Sequence, residues 1–383
     1  MRKIKIKESK GNTFYLKGRG MPKGCQYCLK GTKTVLFLNG ICQKPEHCYW
    51  YCPISEERRD KQTIFANEIK ISTNEDLLKE INAIEAHGMS ITGGDPLLDS
   101  NLGKTLEFIR YAKLVKGRKF HIHLYSNGLS FTEKIANNLA EAGLDEIRFH
   151  PPKSHWKNIQ KALNKGIDVG AEVPVIPDKQ HKQLLEEFVY YLDQIGAKFI
   201  NLNEFEYCFP NSQSLKERGF YLKEGTIASV VNSREMALDL IQTVGPHVSI
   251  KMHYCSIRAK DYYQLKSRYL RRAKTIKLPH EEVTKEGLLM YAQIEGNKDN
   301  LALFHEVLLK HLKISLKLIS FEGDVIKLPY RMILNDTFIS ILSEYNLECN
   351  IIEMIPFREK DYFQITESTP IKTFIQEKNT HED

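Results

Sequence analysis

The amino-acid sequence predicts an α/β fold: a partial or full (β/α) barrel of parallel strands, followed by a small C-terminal α+β domain. The first observation behind this prediction is that strand-like and helix-like segments alternate from residue 34 to about residue 253. Helices of about 10–15 residues between short apolar strands imply right-handed crossovers and a parallel sheet. The second is that no Gly-x-Gly-x-x-Gly motif opens the first helix, which favours a barrel over a doubly wound sheet. After about residue 278 the alternation is lost.

The predicted elements follow one another in regular order. The first strand is the apolar run Thr34–Gly40, which a glycine ends. The first helix, at 73–88, carries one apolar stripe, and Ser72 or Thr73 can cap its start. Later strands are predicted at 89–92, 120–125, 146–149, 168–175, 198–203 and 247–252, and later helices at 104–116, 131–143, 155–165, 180–195 and 233–243.

The chain is predicted to divide into five segments. They are an N-terminal segment with a Cys-x2-Cys motif (1–33), the barrel core (34–255), a basic helix (256–277), a small α+β domain (278–370) and a polar tail (371–383). Within the barrel core, the irregular stretch 206–231 is predicted to be an insertion that faces the substrate. Within the small domain, strand-like runs at 287–293 and 313–321 mix with helices near 299–311 and 336–345.

Composition narrows the class of protein. The chain has 383 residues, of which 42% are hydrophobic and 27% are charged, as in ordinary globular proteins. Five of its eight cysteines fall between positions 25 and 52, which favours metal or cluster binding in a reducing cytoplasm over a secreted disulfide scaffold. The basic start lacks the apolar core of a signal peptide, and no stretch is predicted to span a membrane.

Three cysteines, Cys42, Cys48 and Cys52, lie in an 11-residue loop directly behind the first predicted strand. Three thiolates on one flexible loop can hold a metal centre and leave one coordination position open. An open position is typical of catalysis, because a fourth protein ligand would block the substrate. The loop therefore predicts a metalloenzyme.

Two further turns follow the next two predicted strands. The second strand ends in Gly93-Gly94-Asp95-Pro96, and the third ends in Ser126-Asn127-Gly128. Because the active sites of parallel α/β folds lie at the carboxyl ends of the strands, the cysteine loop and both turns are expected to converge there. Glycines at such a turn let the backbone approach a ligand closely, since they lack a Cβ atom.

With these three features at successive strand ends, the chain resembles the radical S-adenosylmethionine (SAM) enzymes, and within them proteins related to the pyruvate formate-lyase activating enzyme. The resemblance covers roughly residues 24–274, and the stretches 90–97, 120–129 and 145–151 carry it best. It implies a [4Fe–4S] cluster held by Cys42, Cys48 and Cys52, with SAM on the fourth iron. An electron from a low-potential donor such as ferredoxin or flavodoxin would cleave SAM to methionine and a 5′-deoxyadenosyl radical, which abstracts a hydrogen atom from the substrate.

The same resemblance implies where SAM binds. The turn after the second strand would contact the methionyl group, the turn after the third strand would reach the ribose, and the aromatic residue before the last cysteine would lie near the adenine. These residues are Thr92, Gly93, Gly94, Asp95, Ser126, Asn127 and Tyr51. Two features depart from the family's pattern: the loop reads Cys-x5-Cys-x3-Cys instead of the usual Cys-x3-Cys-x2-Cys, and Asp95 stands where a glutamate is usual. No catalytic side chain is assigned.

A second metal site is predicted from cysteines outside the loop. Cys25 and Cys28 can place two sulfurs on one ion, and Cys255 is the third predicted ligand, with His253 or Cys208 as a fourth. This site would hold an auxiliary Fe–S cluster or a structural zinc. The alternative is that these cysteines are ordinary buried thiols.

Other polar residues of the predicted strands are interpreted one by one. His121 and His123 share one face of the third strand and are interpreted as core histidines, whereas His150, at the end of the fourth strand, is a functional candidate. Three carboxylates on or after late strands can be either substrate ligands or structural ion pairs: Glu172, Glu204 and Glu206.

The basic segment Arg258–Lys277 supports an alternative function. It holds eight cations and one acid, with apolar residues at helical spacing, so it is predicted to be a helix that is either a solvated face or a contact for phosphates. A zinc-stabilised nucleic-acid-binding α/β protein would use this helix together with structural cysteines. Under the radical SAM interpretation the substrate stays open: a protein, an RNA or a small molecule.

Overall fold

The computed structural model describes residues 5–359, 362 and 364–381. The chain divides into two compact units, Met1–Leu265 and Lys266–Asp383. The finer division into five segments stays a prediction.

The first unit contains the strands and helices that carry the site. Its strands are β1 (Ile6–Ser9), β2 (Thr13–Leu16), β3 (Lys33–Phe37), β4 (Ile64–Ala66), β5 (Ile69–Ile71), β6 (Gly88–Thr92), β7 (His121–Ser126), β8 (Glu146–Phe149), β9 (Asp168–Val175), β10 (Phe199–Glu204) and β11 (Lys251–Cys255). Its helices are α1 (Lys23–Cys28), α2 (Glu46–Tyr49), α3 (Asn74–Ala83), α4 (Asp99–Lys116), α5 (Glu133–Ala142), α6 (Lys179–Gln194), α7 (Ser212–Glu217) and α8 (Ser233–Val244). A π-helical turn, Arg258–Gln264, runs into α9 (Leu265–Ile276).

These strands form one sheet in the order β1-β2-β11-β10-β9-β8-β7-β6-β3-β4-β5. The strands from β11 to β3 are all parallel to their neighbours. At one end β2 and β1 add antiparallel strands, and at the other end β4 and β5 do the same. Within the described residues the two edge strands, β1 and β5, do not pair with each other, so the barrel is partial. The predicted α/β fold is confirmed.

Both faces of the parallel strands are buried, which is typical of a sheet with helices around it. On one face of β7, Ile122 and Leu124 are fully buried. On the other face, His121 and His123 are buried as well, so the inner face of the barrel carries polar groups where an all-apolar core would be usual.

The predicted helices mostly form where the periodicity placed them. Thr73 caps α3 in a capping box, in which its hydroxyl accepts from the backbone N–H of Asp76 and the Asp76 carboxylate accepts from that of Thr73. One predicted helix, 155–165, is instead a 3₁₀ stretch, Lys153–Ala162. The last predicted strand, 247–252, starts later, at Lys251, because Gly245–His247 forms a 3₁₀ turn.

The second unit is an antiparallel sheet with helices, as the α+β prediction has it. Its strands are β12 (Glu282–Val283), β13 (Leu289–Glu295), β14 (Ser320–Glu322), β15 (Val325–Leu328), β16 (Glu348–Met354) and β17 (Ile365–Pro370), and its helices are α10 (Lys298–Lys310), α11 (Asp336–Glu344) and α12 (Ile371–His381). The central order is β14-β15-β13-β16-β17, with β12 on β13. The predicted strand at 313–321 was mostly wrong, since Leu316–Leu318 forms a 3₁₀ turn.

Two of the sequence-based interpretations of this unit differ from the structure. Much of the range predicted as a polar tail is the helix α12, and residues 382–383 lie outside the described residues. In the basic helix, Arg272 is buried, donates to Pro356 O at 2.7 Å and pairs with Glu359 at 3.0 Å. This cation stabilises the fold of its own unit and is not presented to a phosphate.

Candidate functional site

A cavity of about 460 Å³ lies at the carboxyl edge of the parallel strands. The predicted cluster and SAM residues that line it are Cys42, Cys48, Cys52, Tyr51, Thr92, Gly93, Gly94, Ser126 and Asn127. Asp95 does not line it. From the second predicted metal set, Cys28 lines this cavity, whereas Cys25 and Cys255 do not.

The cysteine loop is closed at its base by backbone hydrogen bonds. Gly40 N donates to Lys61 O at 2.8 Å, and Asp60 N donates to Gly40 O at 3.1 Å. A Cβ atom on Gly40 would lie 1.8 Å from Arg58 O, so a larger residue would push these two chain segments apart. Within the loop, α2 forms a single helical turn where the sequence predicted none, and it carries Cys48.

The paired glycines hold the start of the cysteine loop. Gly93 has φ 138°, and a Cβ atom there would lie 2.4 Å from Asn39 O. On Gly94 it would lie 2.1 Å from Ile41 O. Gly94 N donates to Asn39 O at 2.8 Å, and Asp95 N donates to Ile41 O at 2.9 Å. From the sequence, these glycines were expected to allow close approach of a ligand. In the structure, the close approach of the neighbouring backbone at Asn39 and Ile41 is enough to require glycine at both positions.

Asp95 joins the two turns from inside the fold. It is 1% exposed, and its carboxylate accepts from Ser126 Oγ at 3.2 Å and from Leu97 N at 2.9 Å. Burial raises the pKa of this carboxyl group to about 6. Asp95 is therefore placed as a positioning residue for the turn after β7, a role that the sequence did not suggest.

Asn127 connects that same turn to the cysteine loop. Its side-chain amide donates to Gln43 Oε1 at 2.8 Å and lies 3.8 Å from Cys42 Sγ. Gln43 in turn donates to Ser130 Oγ at 2.9 Å. Asn127 thus contacts two consecutive residues of the cysteine loop, Cys42 and Gln43.

The thiols of the loop suit a cluster. All eight cysteines of the chain are free. Burial raises the pKa of Cys42 and raises that of Cys48 to about 12. Such thiols ionise when a cation binds, because its charge stabilises the sulfur anion. Among the described residues, Cys42, Cys48 and Cys52 do not converge on a point for a single ion. Three thiols that line one cavity could each bind a different iron of a [4Fe–4S] cluster.

Two histidines lie beside Tyr51 and the loop. Tyr51 Oη is 3.0 Å from His150 Nε2, and His47 Nε2 donates to His150 O at 3.0 Å. Burial lowers the pKa of His150 to about 3, so this imidazole is neutral. His47, Cys48 and His150 are close enough to hold one ion, but Cys48 belongs to the cluster loop. His150 lines the cavity, as a functional candidate would.

The insertion at 206–231 packs against the cysteine loop. An apolar cluster of Tyr51, Phe205, Leu215 and Val230 is buried there, with Trp50 packed against it. Because this cluster joins the loop to the segment after β10, the insertion supports the loop as well as bordering the cavity.

A buried ion network around Arg148, a residue that the sequence analysis did not single out, forms one wall of the cavity, and in it Glu172 makes the structural ion pair given as one of its two interpretations. Arg148 lies 2.5 Å from Glu172 Oε2 and 2.5 Å from Glu146 Oε1, and it donates to Cys25 Sγ at 3.4 Å. Glu172 also accepts from Asn203 Nδ2 at 2.9 Å. The signal was present in the sequence: Glu146 and Arg148 alternate with apolar residues in β8, which puts both charges on one face of a buried strand.

The cysteines of the predicted second metal site do not come together in the structure. Within the described part of the chain, Cys25, Cys28 and Cys255 do not approach one point closely enough for one ion. Burial raises the pKa of all three thiols, to about 12 for Cys255. A second metal site stays a prediction. The fourth ligand considered, His253, is fully buried and has its Nδ1 on Asn201 Oδ1.

His121 and His123 are core histidines, as interpreted from the sequence. Their Nδ1 atoms lie 3.0 Å and 2.8 Å from the ammonium of Lys33, which also donates to Met89 O at 2.8 Å. Burial lowers the pKa of His121 to about 2 and, with the nearby cations, lowers that of His123 well below its usual value. Neither histidine lines the cavity.

Comparisons with known proteins identify the family. The model of the radical SAM superfamily matches residues 16–171. The chain is 38% identical over 301 residues, 75% of its length and 77% of the relative's, to a Methanocaldococcus jannaschii protein provisionally named a glycyl-radical enzyme activating enzyme. This chain belongs to the radical SAM superfamily. It is an enzyme that uses a [4Fe–4S] cluster and SAM to generate a 5′-deoxyadenosyl radical for hydrogen abstraction.

Solved structures with a similar fold are remote in sequence. SuiB of Streptococcus suis bound to SAM is 9% identical, with 59% of this chain and 50% of that chain covered and a TM-score of 0.39. Coproporphyrinogen III oxidase (HemN) of Escherichia coli is 8% identical, with 86% and 83% covered and a TM-score of 0.35. This chain therefore spans about half the length of the SuiB structure.

Two other sequence-based expectations can be compared with these findings. The alternative, a zinc-stabilised nucleic-acid-binding protein, is not supported by the comparisons. Among the residues that the structure describes, none of the helices has the length and apolarity needed to cross a membrane.

Proposed function

We propose that this enzyme holds its cluster on Cys42, Cys48 and Cys52, binds SAM at the turns after β6 and β7, and removes a hydrogen atom from a glycine residue of a protein. The observation that carries the cofactor assignment is that the three thiols and both turns line one cavity. When bound, the cluster supplies the electron that cleaves SAM and yields the radical.

The residues of the chain would bind and orient this cofactor. Thr92, Gly93 and Gly94 offer backbone and hydroxyl groups at the end of β6, where SAM's methionyl group would lie. Ser126 and Asn127 would reach the ribose, and the buried Tyr51 ring would border the adenine. Asp95 would act by holding Ser126 in place, since its carboxylate accepts from that hydroxyl. The buried walls would exclude water from the radical.

A protein substrate is supported by the relative's name and by the insertion. The 38% identical relative is named for activating a glycyl-radical enzyme. In this chain the insertion at 206–231 carries exposed apolar side chains: Phe209 is 86% exposed, Ile227 80% and Tyr221 64%. Exposed apolar groups of this size are typical of contact surfaces. The insertion begins at Glu206, which lines the cavity.

The net reaction would consume one electron and one SAM. The hydrogen atom would move from glycine Cα to the 5′ carbon, which gives methionine, 5′-deoxyadenosine and a glycyl radical. A one-electron carrier of low potential, such as ferredoxin or flavodoxin, would supply the electron. We also propose a cytoplasmic location, because the chain's cysteines are free thiols of the kind that a reducing compartment maintains.

Isotope transfer tests the substrate. Anaerobic protein with a reconstituted cluster, SAM and dithionite would be incubated with blocked heptapeptides whose central glycine carries two deuterium atoms at Cα. The proposal expects deuterium in 5′-deoxyadenosine, measured by mass spectrometry. Unlabelled 5′-deoxyadenosine with every peptide, while SAM is cleaved, would contradict a glycine substrate and leave the radical SAM chemistry intact.

A further inference from the structure

Lys260 and Glu206 are two charged side chains that line the cavity. Among the described residues, neither side chain makes a hydrogen bond or an ion pair. Both are partly buried. Burying a charge without a partner is unfavourable, so such groups are rare unless a ligand completes them.

The other ionic groups that line the cavity at the ends of β8, β9 and β10 have partners. Arg148 is neutralised by Glu146 and Glu172, as described above. Glu204 is buried and accepts from Ile257 N at 2.8 Å. Among the described residues that line the cavity after β10 and β11, the charged side chains without a hydrogen bond or ion pair are therefore Lys260 and Glu206.

The backbone holds Lys260 in a fixed place. It lies in the π-helical turn Arg258–Gln264, directly after β11. π-Helical turns are rare and are often found at functional sites. Ala259 N donates to Ser256 Oγ at 3.0 Å, and the Ser256 hydroxyl donates to Gly11 O. A Cβ atom on Gly11 would lie 2.7 Å from Ala259 Cα, so the N-terminal segment packs tightly against this turn.

Lys260 stays charged in this setting. Burial lowers its pKa, but the acidic groups of Cys255, Glu206 and Glu172 outweigh burial, and the pKa of Lys260 is raised. Glu206 is near enough to act on Lys260 electrostatically, yet the two do not form an ion pair. Because both side chains line the cavity, groups of a ligand there can reach them.

The pair follows strands other than those that lead to the cysteine loop and the SAM turns. Glu206 follows β10 and Lys260 follows β11, at one end of the parallel strands. The cysteine loop follows β3, at the other end, and the SAM turns follow its neighbours β6 and β7. Glu206 also borders the cysteine loop, since the Asn211 amide donates to both Glu206 O and Tyr51 O.

We propose that this end of the cavity binds a substrate segment with two opposite charges, a carboxylate that pairs with Lys260 and a cation that pairs with Glu206. The inference rests on the proposed function: the segment would be the part of a protein chain that carries the reactive glycine. A ligand with both signs adds no net charge to a wall that already holds several carboxylates. An anion alone would leave Glu206 unpaired.

Three kinds of blocked heptapeptide test the pairing, each with a dideuterated central glycine and each made with its two flanking residues in both orders. The first carries Glu and Lys on opposite sides of the glycine. The second has Gln in place of Glu, and the third has norleucine in place of Lys. The parent enzyme should transfer deuterium from the first with kcat/KM about tenfold or more above the other two, as a pairing worth about 1.4 kcal/mol gives.

The variants assign each charge to its partner. In Lys260→Met, replacing the peptide's Glu with Gln should no longer lower kcat/KM, whereas replacing its Lys with norleucine still should. In Glu206→Gln, only the replacement of Glu with Gln should lower kcat/KM. Lys260→Arg keeps the positive charge and should keep the preference for the peptide with Glu. This variant still tests the pairing if Lys260→Met loses its cluster absorbance. Two controls should retain the parent's pattern: Lys251→Met, at the amino end of β11, and Glu141→Gln, exposed in α5.

Each outcome decides between the two proposals. If the parent enzyme transfers deuterium equally from all three peptides, or if the preferences survive in Lys260→Met and Glu206→Gln, the charge pairing is wrong and glycine remains the substrate. If SAM is cleaved and no peptide gives deuterium, the glycine proposal is wrong and this inference fails with it.

Discussion

The side-chain amide of Asn211 donates a hydrogen bond of 3.0 Å to the backbone carbonyl of Tyr51, 160 positions earlier in the chain. The same amide donates to Glu206 O at 3.0 Å, and Asn211 Oδ1 accepts from Cys208 N at 2.9 Å. Asn211 is 2% exposed. One buried side chain thus connects the insertion after β10 to the residue directly before Cys52.

Replacing Asn211 with Ala should loosen the cysteine loop. The Tyr51 carbonyl would lose a buried donor, which costs about 1–3 kcal/mol. We expect iron to leave the reconstituted cluster faster in Asn211→Ala than in the parent protein when a chelator is added anaerobically. Gln213→Ala changes an exposed residue of the same insertion and should release iron at the parent's rate. Equal rates in all three proteins would show that the insertion does not support the loop.

Gly94→Ala should disrupt the site by a different route. The new Cβ atom would lie 2.1 Å from Ile41 O, so the backbone that leads into Cys42 would have to move. We expect a loss of most reductive SAM cleavage, measured as 5′-deoxyadenosine formed. The control is Gly103→Ala in α4, where a Cβ atom meets nothing within 4 Å and alanine favours the helix by about 1 kcal/mol. Full activity in Gly94→Ala would contradict the close approach described here.

Lys33 should make stability depend on pH above neutrality. Burial lowers its pKa from 10.5 to about 7. Between these values the unfolded chain binds the proton and the folded chain does not, so the free energy of unfolding should rise with pH across this window. Urea unfolding of the cluster-free protein at several pH values would measure it. In Lys33→Met this rise should disappear, whereas in Lys30→Met, which changes an exposed lysine, it should remain.

Arg148→Met should destabilise the fold. It would leave Glu146 and Glu172 buried without their cation, and breaking a buried pair in this way costs about 3–5 kcal/mol. Urea unfolding would measure the change. Lys153→Met breaks an exposed pair with Glu187 and should cost no more than about 1 kcal/mol. A small effect of Arg148→Met would mean that water reaches the two carboxylates.

The parallel strands were predictable from the sequence, because each is a short apolar run between helices with clear periodicity. The strand at 168–175 matches β9 at both ends, and the strand at 146–149 matches β8. The arrival of the cysteine loop and two turns at one cavity follows from strand direction alone. The helical turn α2 was not predictable, since four residues are too few for a periodic signal.

Roles that depend on distant contacts were not predictable. Asp95 was expected beside SAM because of its place in the turn, but its partner Ser126 comes from the next strand end. Lys260 stood among eight cations of a basic segment, and nothing in that run distinguished it from Arg272, which pairs with Glu359. The local sequence pattern predicts where helices and strands form. Which side chains face a cavity and which form ion pairs depends on how those elements pack against one another.

Loss of the cluster after removal of the loop thiols tests the central assignment most directly. Protein with Cys42, Cys48 and Cys52 all changed to Ser would be reconstituted anaerobically, beside the parent and a Cys349→Ala control from the core of the second unit. We predict that the triple variant lacks Fe–S absorption near ~400 nm and forms no 5′-deoxyadenosine, while the control retains both. SAM cleavage by the triple variant at the parent's rate would contradict the account.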